Sequence, residues 1–444
     1  MSVVAERLAE QSSLLVRLLW CDNANLIRAK SFHRDSLGTF QEMGIGITAA
    51  CQALSVVSDA LCADTGLSGT GENWLQPDWN TLKISDSSSG HAAVIADIVQ
   101  WDGEPWPLCP RHFLKRMVSN LNDEFNLSVK VGFEYEFYLM EDKEEEWVPA
   151  EAFTYASDYG FSVLQPLVDD IIQSLDKQTI KVRTAHAESG PGQLEMSLDY
   201  GDALKIADDQ LFFRKTVHAM ARQHGYAASF LPKIFADQCG SGMHLHLSLW
   251  QEGRNILADG DSRKLSPEAE QFAAGILHHL PALTAVTTPT CNSFRRITPH
   301  CWSGAFTAWG WDNREAAIRI PSQPGCIAPS NLELKTIDAS ANPYLALGSI
   351  IAAGIDGLRN RMDLKEECSI DPGCMSDQER EASSIRALPE DLLTALSCFR
   401  ENNVLLNAMG EGLAKSYLGV KQAENNHFSE MSLEDEVNWL LQRY

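Results

Sequence analysis

No stretch of this 444-residue chain approaches the ~18 unbroken apolar residues that a membrane-spanning helix needs, so no transmembrane helix is expected. Residues 1–15 carry acidic side chains and lack a basic start, an apolar run and a small-residue cleavage site. They do not read as a secretion signal, and the cytoplasmic compartment is expected. The eleven cysteines are odd in number, scattered, and form no C-x-x-C pair, which argues against a disulfide framework or a zinc knuckle. Most are expected to be buried as small hydrophobes. Positive charge is scarce as well: 36 Lys and Arg stand against 60 Asp and Glu, a formal charge of -24. That balance works against unassisted binding to phosphate backbones or anionic lipid, so neither nucleic acid nor membrane is an expected partner. No G-x-x-x-x-G-K-[ST] phosphate loop occurs anywhere.

What the chain does have is length enough for two or three domains and a large core. Up to about residue 108, short apolar stretches such as 14–20 and 92–99 are separated by Gly/Ser/Asp-rich connectors, including 65–71 and 85–90, the pattern of a small β-rich domain. The run WDGEPWPLCP at 101–110 holds three prolines and a glycine and precedes a helix-like segment, 111–122, so the boundary is placed between an N-terminal domain, 1–108, and a second domain, 109–444. The last third reads as largely helical, from 345–358 to an acidic amphipathic end at 432–444.

The chemical signal lies in four short alternating segments, because alternation puts every second residue of a strand on one face. Val129, Val131, Phe133, Tyr135, Phe137 and Leu139 share a face, leaving Glu134 and Glu136 on the other. Met243, Leu245, Leu247 and Leu249 likewise oppose His244, His246 and Ser248. Leu194, Met196 and Leu198 oppose Gln193, Glu195 and Ser197, and Leu332 and Leu334 oppose Glu333 and Lys335. Any one of these could be the solvated outer face of a half-buried strand. Four together, with paired glutamates, paired histidines and glycine-rich turns at 190–192 and 240–242 that let backbone approach a ligand, point to a curved sheet gathering carboxylates on its concave face. Repulsion among them calls for cations, and oxygen-rich ligation favours Mg2+ or Mn2+ over zinc. Arg295, Arg296, Arg314 and Arg319, close in sequence, suggest bidentate recognition of phosphate or carboxylate, against the plainer reading of surface arginines. Residue types alone stop at metal-assisted chemistry on an anionic substrate.

Five separated motifs carry a resemblance to glutamine synthetase, in that family's order: GFEYEF at 132–137, ESGPGQLE at 188–195, GSGMHLH at 240–246, NSFRR at 292–296 and NREAAIRIP at 313–321, with Glu333 and NPY at 342–344 extending it. The resemblance implies an α+β fold, with an N-terminal β-grasp domain and a catalytic domain built on a curved antiparallel sheet and helices. It implies active sites shared between neighbours in a homo-oligomeric ring, two stacked hexamers by family analogy. It also implies two or more Mg2+ or Mn2+ ions per site, one held by Glu136, Glu188 and Glu195 and one by Glu134, His244 and Glu333. His246 and Ser248 fall at positions that approach ATP. Arg314 and Arg319 fall where the transferred phosphate is stabilised, and Arg319 is also expected against ATP. Arg296 and the Gly240 backbone look like holders of glutamate. The implied chemistry uses ATP as co-substrate: the γ-carboxylate of glutamate attacks its terminal phosphate, and an amine then displaces phosphate from the acyl phosphate.

The chain also departs from that family. Ordinary glutamine synthetases continue past the N-S-[YF]-K-R motif to PGYEAP, whose glutamate gathers and deprotonates ammonium; here 299–304 read PHCWSG, and Trp302 takes the glutamate's place. The aspartate-bearing FDGSS segment has no clear counterpart around 62–78, Lys335 replaces the arginine of E-x-R, and Cys239 replaces the asparagine before GSGMH. The tract GLSGTGENWLQPD at 66–78, with Trp302 and ELK at 333–335, looks more like the divergent branch of FluG/nodulin-type domains and bacterial γ-glutamyl-amine ligases. The adenylylation tyrosine of NLYDLP is replaced in IRALP at 385–389, so that regulation is not expected. The leading expectation is an ATP-dependent ligase joining glutamate to an organic amine, with Lys335 and Trp302 in the substrate site. The alternatives are a true glutamine synthetase using ammonia and a catalytically silent structural member.

Overall fold

The computed structural model describes residues 3–9, 14–84, 92–143, 146–152, 154–260 and 262–444; the connector expected at 85–90 lies outside them. One sheet has six strands, in the order Ile27–His33, Leu15–Cys21, Ala92–Val99, Glu72–Pro77 and Ile45–Thr48, with Lys83–Ile84 beside Ala92–Val99. The two apolar stretches pair in parallel at its centre, which accounts for their burial at nearly every position rather than every second one. Helix Leu37–Met43 packs on the strands Ile27–His33 and Glu72–Pro77, an arrangement consistent with a β-grasp.

The second sheet has eleven strands and curves until it is nearly closed. Its main path runs Trp309–Trp311, Ile318–Ile320, Leu332–Leu334, Met243–Gln251, Ser128–Lys143, Gln193–Leu198 and Val182–Ala187. Only the first of these pairs is parallel. On Ser128–Lys143 the six expected core residues from Val129 to Leu139 are each at most 4% exposed, while Glu134 and Glu136 are half-buried. Tyr135 stacks on Phe213 of helix Ala203–Gln223 with ring centroids 4.4 Å apart. A one-residue slip would turn all six apolar side chains to the open face. At about 1.5–3 kcal/mol for each buried side chain, the alternation fixes the register by on the order of 10 kcal/mol.

Pro110 opens helix Pro110–Phe125, where its missing N–H costs nothing, and the helix ends at Asn126 in the left-handed region, φ 53°. The next residue, Arg111, is 3% exposed and reaches Asp78 at 2.8 Å, Asp97 at 2.9 Å and Asp208 at 2.8 Å, joining the first sheet to helix Ala203–Gln223. The NPY motif works at the same junction. The Asn342 side chain caps helix Pro343–Asn360 by accepting the Tyr344 and Leu345 N–H groups and donates to the Asp22 carbonyl at 2.9 Å, while Tyr344 Oη donates to Asp208 at 2.7 Å.

All eleven cysteines are free, as the absence of paired spacings implied, but only Cys21, Cys109 and Cys368 are buried. Cys239, Cys301, Cys326 and Cys374 are exposed, outside the α-helices and the strands of the two sheets, and the other four are half-buried, which corrects the expectation that most are core residues. Among the described residues, no helix is long and apolar enough to cross a membrane.

Candidate active site

Strand register brings the expected polar residues into rows. Glu195 lies opposite Glu136 and Ser197 opposite Glu134; on the other side of the central strand Glu134 faces His244 and Gly132 faces His246. Glu333 in turn faces both His246 and Arg319. Because every partner is in step with the two-residue alternation, these side chains share one face of the sheet.

Two groups of three ligand-type side chains have donor atoms within 4.8 Å of one another: Glu134, His246 and Glu333, and His186, Glu188 and Glu195. His244 stands beside the first group, its Nδ1 3.5 Å from Glu134 Oε2 and 3.5 Å from Glu333 Oε1, and its Nε2 is 3.6 Å from Glu136 Oε1. The six residues expected as metal ligands therefore converge, and His246, expected against ATP, joins them with its Nε2 3.0 Å from Glu134 Oε1. His186 escaped the sequence reading. It lies opposite Glu195 and 3.1 Å from Glu188, and its signal was the H-A-E spacing at 186–188.

The electrostatics show what this arrangement lacks. Burial first, then the charges of Glu134, Glu136 and Glu188, push the Glu195 carboxyl up to about 9. Burial also works against Glu333, yet Lys335, both histidines and Arg319 hold it down at about 2. One end of the row is thus balanced by fixed cations and the other is not. Crowded carboxylate oxygens with imidazole nitrogens fit hard divalent ions of the Mg2+ or Mn2+ kind.

The basic residues divide. Arg319 Nε donates to Glu333 Oε2. Lys335, 2% exposed, lies 3.2 Å from Glu333 and 3.5 Å from His244 Nδ1. Arg296 is buried under the 240–242 turn, donating to the Ile337 carbonyl at 3.0 Å and leaving its Nε without a partner among the described residues. A Cβ on Gly240 would lie 2.5 Å from Arg296 Cγ and 2.6 Å from the Pro232 carbonyl, so packing within the protein requires glycine there. Arg295 does not join the site: it donates to Glu436 at 2.6 Å and to the Met431 carbonyl at 2.9 Å, tying down the C-terminal helix. Its neighbour in sequence simply faces the other way.

Glu134, His246 and Ser248 line a cleft of about 420 Å³ with Lys130, Trp250 and Asn331. His246 Nδ1 is 2.7 Å from Asn331 Oδ1, and Trp250 Nε1 donates to Ser248 at 2.9 Å. A larger cavity, about 660 Å³, lies beside helix Glu411–Phe428 and holds none of these carboxylates, so size alone does not mark the site. Trp302 is 52% exposed, on a loop where it and His300 take positive φ, with the Arg314 guanidinium 5.5 Å from its ring centroid. A third ligand-type group, His300, Asp371 and Cys374, lies on and beside that loop.

A curved sheet with a floor of glutamates and histidines defines a class. The glutamine synthetase catalytic-domain profile matches residues 107–440, and the chain belongs to the glutamine synthetase family, ligases that form carbon–nitrogen bonds. It is 35% identical to gamma-glutamylpolyamine synthetase GlnA3 of Streptomyces coelicolor, over 92% of this chain and 89% of that one. It is 32% identical to type-1 glutamine synthetase 1 of Dictyostelium discoideum, over 97% and 89%. Among solved structures, a GmaS/ADP complex matches with a TM-score of 0.86 at 27% identity, covering 99% of both chains. A novel glutamine synthase homolog matches with a TM-score of 0.86 at 28% identity, over 98% and 99%. Family members use ATP and divalent metal ions and are typically oligomeric.

Proposed function

We propose that this chain is an ATP-dependent ligase that joins the γ-carboxylate of glutamate to an organic amine through a γ-glutamyl phosphate. The observation that carries the choice of amine is Trp302, a half-exposed indole where ordinary family members place the ammonium-binding glutamate. An indole offers apolar contact and a cation–π face worth roughly 0.5–2 kcal/mol, which favours substituted amines over ammonia. The polyamine-synthetase name of one relative leans the same way.

Glu136, Glu188 and Glu195, with His186 beside them, would hold one divalent ion; Glu134, His244 and Glu333 would hold another, with His246 in reach of both ion and nucleotide. When bound, such ions neutralise phosphate charge and draw the reacting oxygens together. His246, Ser248 and Lys130 receive ATP in the cleft they line. Arg319, anchored on Glu333, and Arg314 carry positive charge to the phosphoryl group in transit. Arg296 and Lys335 hold the Gly240 turn and the floor against which glutamate binds. The glutamate oxygen displaces ADP from the terminal phosphorus, and the amine then displaces phosphate from the carbonyl carbon. Phosphorylation is required because a free carboxylate is a poor acylating agent. The protein works as a cytoplasmic ring, two stacked hexamers, whose sites are completed by neighbours.

The ammonia-using alternative rests on the relatives named glutamine synthetase. A silent structural member has no need to tolerate so many converging ligands. The deciding experiment is phosphate release from ATP with glutamate and a panel of alkyl, aryl and polyamine acceptors and ammonia, with products identified by mass. Glutamate-dependent release that is greatest with an organic amine is expected. Release with ammonia alone would select the alternative, and none with any acceptor would contradict a ligase.

A further inference from the structure

Replacing the loop glutamate with Trp302 removes the negative charge that an ammonium head needs, yet a carboxylate stands beside the indole. Glu315 follows Arg314 in the sequence NRE at 313–315. Its Oε1 accepts the Trp302 backbone N–H at 3.1 Å, and its own N–H is held by Asn313 Oδ1 at 3.0 Å. Trp302 takes φ +52°, a left-handed conformation in which its N–H meets Glu315. Two residues on, Gly304 also has positive φ, and a Cβ there would meet Ala317 Cα at 2.9 Å; its carbonyl accepts from Thr336 Oγ1 at 2.8 Å. The segments 298–304, 313–317 and 335–336 are thereby fixed together around one half-buried carboxylate, next to Lys335 of the glutamate floor. Among the described residues, no ion pair neutralises Glu315, and burial holds its carboxyl above the usual range. The charged side chains around it are Lys335, His300 and Asp371, with Arg314 turned onto the Trp302 ring and His300 bonded to Asp371 at 2.6 Å.

We infer that Glu315 is the carboxylate of the amine site, pairing with the incoming ammonium head and taking its proton while Trp302 borders the organic part. This rests on the ligase reading above. The amine arrives as R–NH3+; one proton passes to a Glu315 oxygen, leaving R–NH2 and a neutral carboxyl. The nitrogen lone pair then forms the C–N bond at the γ-carbonyl carbon. The C–O bond to phosphate breaks, and phosphate leaves with that electron pair and takes the second proton from nitrogen.

The competing reading is that Glu315 only anchors the Trp302 loop. Glu315→Gln separates the two, since the amide oxygen can still accept the Trp302 N–H while the charge is lost. Hydroxylamine, uncharged near neutral pH, is the comparison acceptor because it needs neither a counter-charge nor a base. In Glu315→Gln the ratio of kcat/KM for an alkylammonium over hydroxylamine should fall by at least about tenfold, with loss of the acid limb of the alkylamine pH profile, and Glu315→Asp should recover part of it. Hydroxamate formation serves as the check on folding. A wild-type enzyme that prefers an organic amine, together with a ratio within about twofold of wild type in Glu315→Gln, overturns the assignment of Glu315 alone. A wild-type enzyme that makes hydroxamate but no amide from any organic amine overturns the ligase reading itself.

Discussion

Glu195 and Glu136 stand opposite each other on adjacent antiparallel strands, with their carboxylates on the same open face of the sheet. Like charges so placed repel. With Glu134 and Glu188 also near, burial and that repulsion drive Glu195 up to about 9, so near neutral pH the row must take up either protons or cations.

That choice gives a pH signature. The folded-state pKa of Glu195 lies above its ordinary 4.5, so between roughly pH 4.5 and 9 the folded metal-free protein keeps a proton that the unfolded chain has lost. The associated stability is full below this window and is lost as pH rises through it. Thermal melting of metal-free protein should therefore fall between about pH 6 and pH 8.5, and Mg2+ or Mn2+ should raise Tm more at the higher pH. An ion-induced shift of equal size at both would contradict the argument.

Substituting the row separates stability from activity. Glu195→Gln should raise the Tm of metal-free protein near neutral pH by removing a carboxyl that folding must protonate, and reduce turnover by at least about a hundredfold by removing a ligand. Glu136→Gln should also abolish turnover, although its Oε2 now accepts the Gly242 N–H at 2.8 Å, a bond an amide oxygen could keep. Activity within about threefold of wild type in either would sink the metal assignment. EDTA should silence the enzyme and Mg2+ or Mn2+ restore it, whereas restoration by zinc alone would argue against hard-ion ligation.

Away from the site, Arg111 is the test of how the two sheets are joined. Arg111→Met removes the guanidinium that Asp78, Asp97 and Asp208 share, leaving Asp97 only Lys115 and Asp208 only Tyr344, and removing one partner of a buried ionic network costs about 3–5 kcal/mol. Urea unfolding should register a loss of that size; a loss under about 1 kcal/mol would mean the aspartates find other partners.

Assembly follows from the shared-site proposal. Light scattering should give a particle many times the 49.1 kDa chain, and a fully active monomer would refute it.

Much of the site was legible because a two-residue period is visible in sequence, and one buried face dictates what the other presents. That logic puts Glu134, Glu136, Glu195, His244, His246 and Glu333 on polar strand faces, and the strand register gathers them on one face of the sheet. It failed where the partner was distant or the strand was mixed. His186 sits in Val182–Ala187, whose exposure alternates weakly, so no apolar face marked the other one. Arg295 belonged to the arginine cluster by spacing, but its partner Glu436 is 141 residues away, and a tight turn does not reveal which side each arginine takes. Glu315 shows in sequence only as part of a motif, since its link to Trp302 depends on a left-handed loop residue that sequence alone does not announce. In the fold, the parallel pairing of Leu15–Cys21 with Ala92–Val99 is equally hidden, because strands buried at most positions on both faces give no sign of their direction.

The central claim is that the acceptor is an organic amine, and the most direct measurement is kcat/KM for the best organic amine against ammonia, in wild type and in Trp302→Glu. The wild-type enzyme should favour the organic amine by several-fold to about tenfold or more, in line with the indole's cation–π and apolar contact. Trp302→Glu should lower the value for that amine and raise it for ammonia. A wild-type enzyme that makes glutamine faster than any other amide across a broad panel would contradict the account.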